Sequence, residues 1–146
     1  MEGPDIIFTA EDGNGAYFNH EDALVVTLDV GNRIVKRILV DNGSLVDVIF
    51  LSTLEVMGIS PTVFQPTKAA LVGFNGVDSK AQGKITLPIT VKDKVQMTEL
   101  MVVDAPSAYN MIVGWLWLHS MKAVPSTFHK KLKFPTVNGI DEIQGD

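Results

Sequence analysis

The pattern of apolar and polar positions tightens from Ala23 onward. Leu24-Val25-Val26-Thr27-Leu28-Asp29-Val30 is rich in β-branched residues, and Gly31-Asn32 is a turn signal. Arg33-Ile34-Val35-Lys36-Arg37-Ile38-Leu39-Val40 then reads as the return strand of a hairpin. The end of that return strand is its most apolar part. Ile38, Leu39 and Val40 are apolar on consecutive positions, which predicts a strand end buried on both faces. Asp41 follows at once. An acid delivered to the end of a buried strand costs free energy unless it has partners or chemistry to do.

The pattern continues in short pieces. Val46 to Phe50 predicts a brief strand, and Ser52 to Met57 a helical turn stopped by Gly58, with Pro61 shortly beyond. Ala69 to Gly73 and Gly83 to Val91 are strand-like and flank Phe74 to Ser79. Within that stretch Asn75-Gly76 tolerates positive φ and marks a hairpin tip. Lys92-Asp93-Lys94 turns the chain, and Val95 to Val103 alternates as a partly buried strand. Ala105 to Ala108 is a loop. Ile112-Val113 runs into Gly114, and Trp115 to Lys122 is the best helix candidate. Trp115 and Trp117 lie on different sides of such a helix, so at least one belongs to the core. Lys130 to Pro135 supplies a last strand. Residues 1–20, with one short strand at Ile6-Ile7-Phe8, and residues 138–146 are expected to be loose ends of a single domain spanning 1–146. Short strands at close spacing with brief helices predict an all-β sandwich or barrel.

Composition narrows the chemistry more than the fold. The chain has 146 residues, 46% of them hydrophobic and 20% charged, as in an ordinary globular protein. With no cysteine, neither disulfides nor thiolate metal sites are available. The net charge of −5 argues against a nucleic-acid surface, and His129-Lys130-Lys131-Leu132-Lys133 is too short a basic cluster to reverse that. Met1-Glu2-Gly3-Pro4-Asp5 is unlike a signal peptide, and the apolar stretch from Met111 to Leu118 is too short to span a membrane. A soluble protein is expected. His20, His119 and His129 lack metal-ligand spacing, and Ser44 and Ser120 have no plausible His–Asp partner in sequence. No metal or other cofactor is expected.

Asp41-Asn42-Gly43 alone reads as a turn, since turns favour all three residue types. Its surroundings point elsewhere. Leu39-Val40-Asp41-Asn42-Gly43-Ser44, followed by Val46-Asp47-Val48-Ile49, resembles the active-site loop of retropepsins, apolar-apolar-Asp-Thr/Ser-Gly-Ser/Ala. Leu71-Val72-Gly73-Phe74-Asn75-Gly76 is similar to the flap hairpin of that family, and Ile112-Val113-Gly114 to the apolar-apolar-Gly element before its helix. Leu118 to Ser126 and Leu132-Lys133-Phe134-Pro135 resemble the protease region of plant gypsy-type LTR retrotransposon polyproteins. The resemblance implies an acid-protease barrel with a flap hairpin and one short C-terminal helix.

It also implies a function: an aspartic endopeptidase acting as a homodimer, with one Asp41 from each chain, on an extended peptide or a retroelement polyprotein. Asn42, Gly43 and Ser44 would support the active-site loop around Asp41, and Val72, Gly73, Phe74, Asn75 and Gly76 would close over the substrate. Asp47, Ile112, Val113 and Gly114 would be structural neighbours of the site. Neither nucleic acid nor membrane is implied as a partner, and the setting implied is cytoplasmic, including retroelement particles. Two positions depart from the family pattern. Asn42 stands where Thr or Ser is usual, and Trp115 stands where many relatives carry an Arg that pairs with an acid, for which Asp47 is the counterpart here. These departures make an inactive, protease-like dimerisation or peptide-binding module the alternative function.

Overall fold

A computed structural model describes residues 23–68, 71–74 and 77–146. The opening hairpin forms as its β-branched runs and the Gly31-Asn32 turn predict. Strand β1 (Leu24–Val30) buries Leu24, Val26, Leu28 and Val30, and pairs antiparallel with β2 (Arg33–Val40). Their register slips between Val26 and Leu28, a bulge at which Arg37 takes a left-handed φ of 60°. The bulge leaves Lys36 and Arg37 facing solvent and turns Ile38 back into the core.

Next come β3 (Val48–Phe50), helix α1 (Leu51–Val56) and a 3-10 turn at Pro61–Val63. A hairpin of β4 (Leu71–Phe74) and the long β5 (Val77–Val91) follows, then β6 (Lys94–Val103), β7 (Met111–Val113) and helix α2 (Trp115–Met121). Strands β1, β2, β7, β3, β6 and β5 are hydrogen-bonded in that order, and β5 pairs back to β1 through Asp29↔Thr90 and Val30↔Ile89. The sheet therefore closes into a six-stranded barrel, as the all-β reading requires.

Where β2, β3, β6 and β7 run side by side, consecutive residues are apolar because both sides of the sheet are covered. Ile38 and Val40 of β2, Ile49 of β3, Leu100 and Val102 of β6, and Met111 and Val113 of β7 join the main core. Leu39, Val48, Phe50, Val103 and Ile112, the alternate residues of those strands, form a second buried cluster. Pairing is parallel between β2 and β7 and between β3 and β6, the arrangement that buries both faces. Trp117 is a core residue at 1% exposure, whereas Trp115 is 46% exposed, so the two tryptophans of α2 do lie on different sides.

The C-terminal region corrects one expectation. Residues 139–144 are not a loose end: β10 (Gly139–Gln144) pairs along its whole length with β9 (Lys131–Thr136), and β8 (Val124–Ser126) adds a third strand. Ile143 packs against the main core, and Lys131 bonds Glu142 at 3.0 Å. Beyond β10, the Gly145 N–H donates to Lys130 and the Asp146 N–H to Val25 of β1. The small sheet is also tied to the barrel by the Lys94 ammonium, which donates to the carbonyls of Met121 (3.3 Å) and Pro135 (3.2 Å). The strand expected at Ile6-Ile7-Phe8 and the loose end at 1–20 lie outside the described residues. No helix among the described residues is long and apolar enough to cross a membrane.

Candidate active site

Asp41 stands where β2 leaves the sheet, and its own N–H still donates to the carbonyl of Val113 on β7 at 2.9 Å. The chain then turns sharply. The Ser44 N–H returns to the Asp41 carbonyl at 3.1 Å, and the Gly43 N–H donates to Asp41 Oδ1 at 2.9 Å. A Cβ on Gly43 would lie only 3.2 Å from that oxygen, so glycine is what lets the backbone donor come so close. The Asp41 carboxylate is half-buried, and Asn42 and Gly43 are exposed beside it.

Ser44 plays a different part from the one expected. Its side chain is buried, and its hydroxyl donates to the Val46 carbonyl at 2.8 Å rather than to the carboxylate of Asp41. It therefore shapes the loop and leaves the outer carboxylate oxygen free of that bond. Leu45 is pushed out to 75% exposure, and Val46 turns back so that Asp47 enters the interior at 2%.

The absence of an Arg at position 115 does not strand Asp47. Its Oδ1 accepts the Gly114 N–H at 2.6 Å, and the N–H of Trp117 also favours the ionised form. Burial nonetheless dominates and raises its pKa from 3.8 to about 6. Gly114 is fixed by close approach: a Cβ there would meet the carbonyl oxygens of Ser44 and Val46 at 2.5 Å each. The Trp115 N–H donates to Ser44 O at 2.7 Å, closing a backbone stitch between the Asp41 loop and the start of α2.

Trp115 stacks on His119, ring centroids 4.5 Å apart and 10° from parallel. The pair borders an open groove of about 400 Å³ that Asn42, Leu118, Lys122 and Val124 also line. Of the expected site residues, Asp41, Asn42, Gly43, Ser44, Asp47, Ile112, Val113 and Gly114 thus come together around the end of β2. Val72, Gly73 and Phe74 lie in β4, paired with Ser79, Asp78 and Val77 of β5. Asn75 and Gly76 lie outside the described residues. Among the described residues no cluster of His, Asp or Glu could hold a metal ion.

No protein-family model and no curated protein matches the chain. Solved structures do. The retroviral protease-like domain of Ddi1 from Leishmania major superposes with a TM-score of 0.63 at 17% identity, covering 83% of this chain and 94% of that one. The fold is retropepsin-like. A retropepsin-like aspartic protease from Rickettsia conorii gives 0.58 at 19% identity, over 75% of this chain and 80% of that one. EIAV protease in complex with an inhibitor gives 0.56 at 16% identity, over 75% and 98%. The retropepsin-like fold accounts for the order of elements seen here: an acid at the end of a buried strand, a hairpin after it, and an apolar-apolar-Gly segment leading into a helix.

The sequence did not disclose what holds Asp47. Its partners are backbone groups of residues 114 and 117, and a backbone donor leaves no residue-type signal. The one available hint was Gly114 itself, a glycine between a buried strand and a helix, where close backbone approach is a standing reason for the residue.

Proposed function

We propose that this chain is one half of an aspartic endopeptidase, a homodimer in which Asp41 of each copy contributes one carboxylate. The observation that carries the reading is the setting of Asp41 in a retropepsin-like fold: half-buried at a strand end, with a backbone N–H on one carboxylate oxygen. One such acid is insufficient, because peptide hydrolysis needs a base to take a proton from water and an acid to stabilise the developing oxyanion. Two copies of Asp41 facing each other would supply both. Carboxylates about 3 Å apart cannot both ionise, so the pair shares one proton and titrates as a unit.

The ionised member draws a proton from the attacking water. The protonated member stabilises the carbonyl oxygen and then helps to protonate the leaving amine. Gly43 holds one oxygen of each carboxylate, and the β4–β5 hairpin, residues 72 to 79, serves as the flap over an extended peptide. On the sequence resemblance, we further propose that residues 1–146 form a single protease domain and that its substrate is an LTR retrotransposon polyprotein of the plant gypsy type, processed inside the cell.

Asn42, exposed where a hydroxyl is usual, favours a second reading: a protease-like module that dimerises or binds peptides without cutting them. Cleavage of a mixed peptide library between pH 4 and 7 separates the two. The endopeptidase reading expects cleavage by the wild type and its loss in Asp41→Asn. Equal residual activity in both proteins would overturn the assignment of Asp41.

A further inference from the structure

Asp47 is a buried acid that the hydrolysis above does not use. It sits where two segments are laced together by backbone contacts. The Asp41 N–H reaches Val113 O, the Trp115 N–H reaches Ser44 O, and Gly114 packs against the carbonyls of Ser44 and Val46. Gly114 is also the N-cap of α2, and the close approach of those carbonyls forbids it any capping side chain. Helix N-termini leave backbone N–H groups that require an acceptor. Here the acceptor comes from the other segment, as the Asp47 carboxylate on the Gly114 N–H.

We propose that Asp47 is a positioning residue for Asp41: by reaching across to the start of α2, its carboxylate holds the loop in the turn that keeps the Gly43 N–H on Asp41 Oδ1. The role rests on the reading of Asp41 as the catalytic carboxylate. A charge-assisted bond of 2.6 Å is a stiffer tie than a neutral amide or hydroxyl would make. The tie has a cost, since burial opposes the ionised form and raises the pKa to about 6. Neutral side chains could cap α2 without that penalty, so the carboxylate gives up stability for a stiffer tie, a trade-off found where geometry serves function. The titratable and charged groups on the neighbouring elements are Asp41 in the same loop, Arg33, Lys36 and Arg37 on β2, Glu55 on α1, His119 on α2, and Lys94 and Glu99 on β6. None contributes to the shift, which arises from burial and the two backbone N–H groups.

The test compares wild type, Asp47→Asn and Asp47→Ala by amide NMR from pH 4.5 to 8 and by peptide cleavage. In wild type the Gly114 and Gly43 resonances should move together with a midpoint near the Asp47 value of about 6. In Asp47→Asn that shared step should vanish from both. In cleavage, Asp47→Ala should lose about tenfold in kcat with little change in KM, and Asp47→Asn, which keeps an acceptor oxygen, should recover part of the loss. A Gly43 resonance indifferent to both substitutions overturns the proposal, as does an unchanged kcat in variants that are merely less stable. If Asp47→Ala fails to fold, the isosteric Asp47→Asn decides alone. If the wild type cuts nothing, the protease reading fails, while the Gly43 titration still shows whether Asp47 governs the loop.

Discussion

Asp41 and Asp47 occupy one loop but experience opposite surroundings. Asp41 keeps part of its carboxylate in solvent and accepts one backbone N–H, whereas Asp47 is 2% exposed and its pKa is raised to about 6. The sign of the consequence follows from proton counts. Between its ordinary 3.8 and about 6, the folded chain retains a proton on Asp47 that the unfolded chain has released, so stability falls as pH rises through that window. A shift of roughly two units corresponds to about 3 kcal/mol, an order-of-magnitude figure. Asp47→Asn removes the titration altogether. Urea unfolding at pH 4, 5, 6 and 7.5 should therefore show the wild type losing about 3 kcal/mol relative to Asp47→Asn across the series. Parallel stability profiles would mean that Asp47 titrates normally and is better solvated than its burial implies.

At the scale of elements, legibility followed the locality of the signal. The β1–β2 hairpin was readable because both strands alternate or run apolar and Gly31-Asn32 separates them. The end of β2 was readable for the same reason, and with it the position of Asp41. Strand β10 was not. Ile140 and Ile143 are three apart with Asp141 and Glu142 between, so no period of two appears, and the segment looks like a polar tail. Asn138-Gly139 carries the same hairpin dipeptide as Asn75-Gly76 and is the one local mark of the β9–β10 turn. Cross-strand register explains the pattern: Ile143 sits opposite Leu132 and packs on the core, whereas Ile140 remains 38% exposed. Ile143→Ala should accordingly cost roughly 1–2 kcal/mol in urea unfolding, below the range for a fully buried isoleucine. Ile140→Ala should stay within about 0.5 kcal/mol. Equal effects would indicate that β10 lies on the barrel in another register.

For the whole molecule, the barrel is complete within one chain but the proposed chemistry is not. Closure through β1 and β5 gives each copy its own core, so the barrel needs no strand from a partner. Catalysis does need a partner, because a single Asp41 cannot act as base and acid at once. This separates two properties that usually fail together: a monomer can be folded and still inactive. Symmetry turns the difference into a measurable one. When wild type is mixed with an equal amount of Asp41→Asn at a concentration where the chains exchange partners, each wild-type chain meets an intact partner only half the time. Activity per wild-type chain should then fall to about half, and continue falling as Asp41→Asn is added in excess. A chain that worked alone would be unaffected by the additive. Sedimentation of the same mixture reports whether the dimers formed, so loss of activity can be assigned to a missing carboxylate and not to a missing partner. Trp115 and Asn42, on the exposed face beside Asp41, are the positions at which substitution should alter that association without unfolding either barrel.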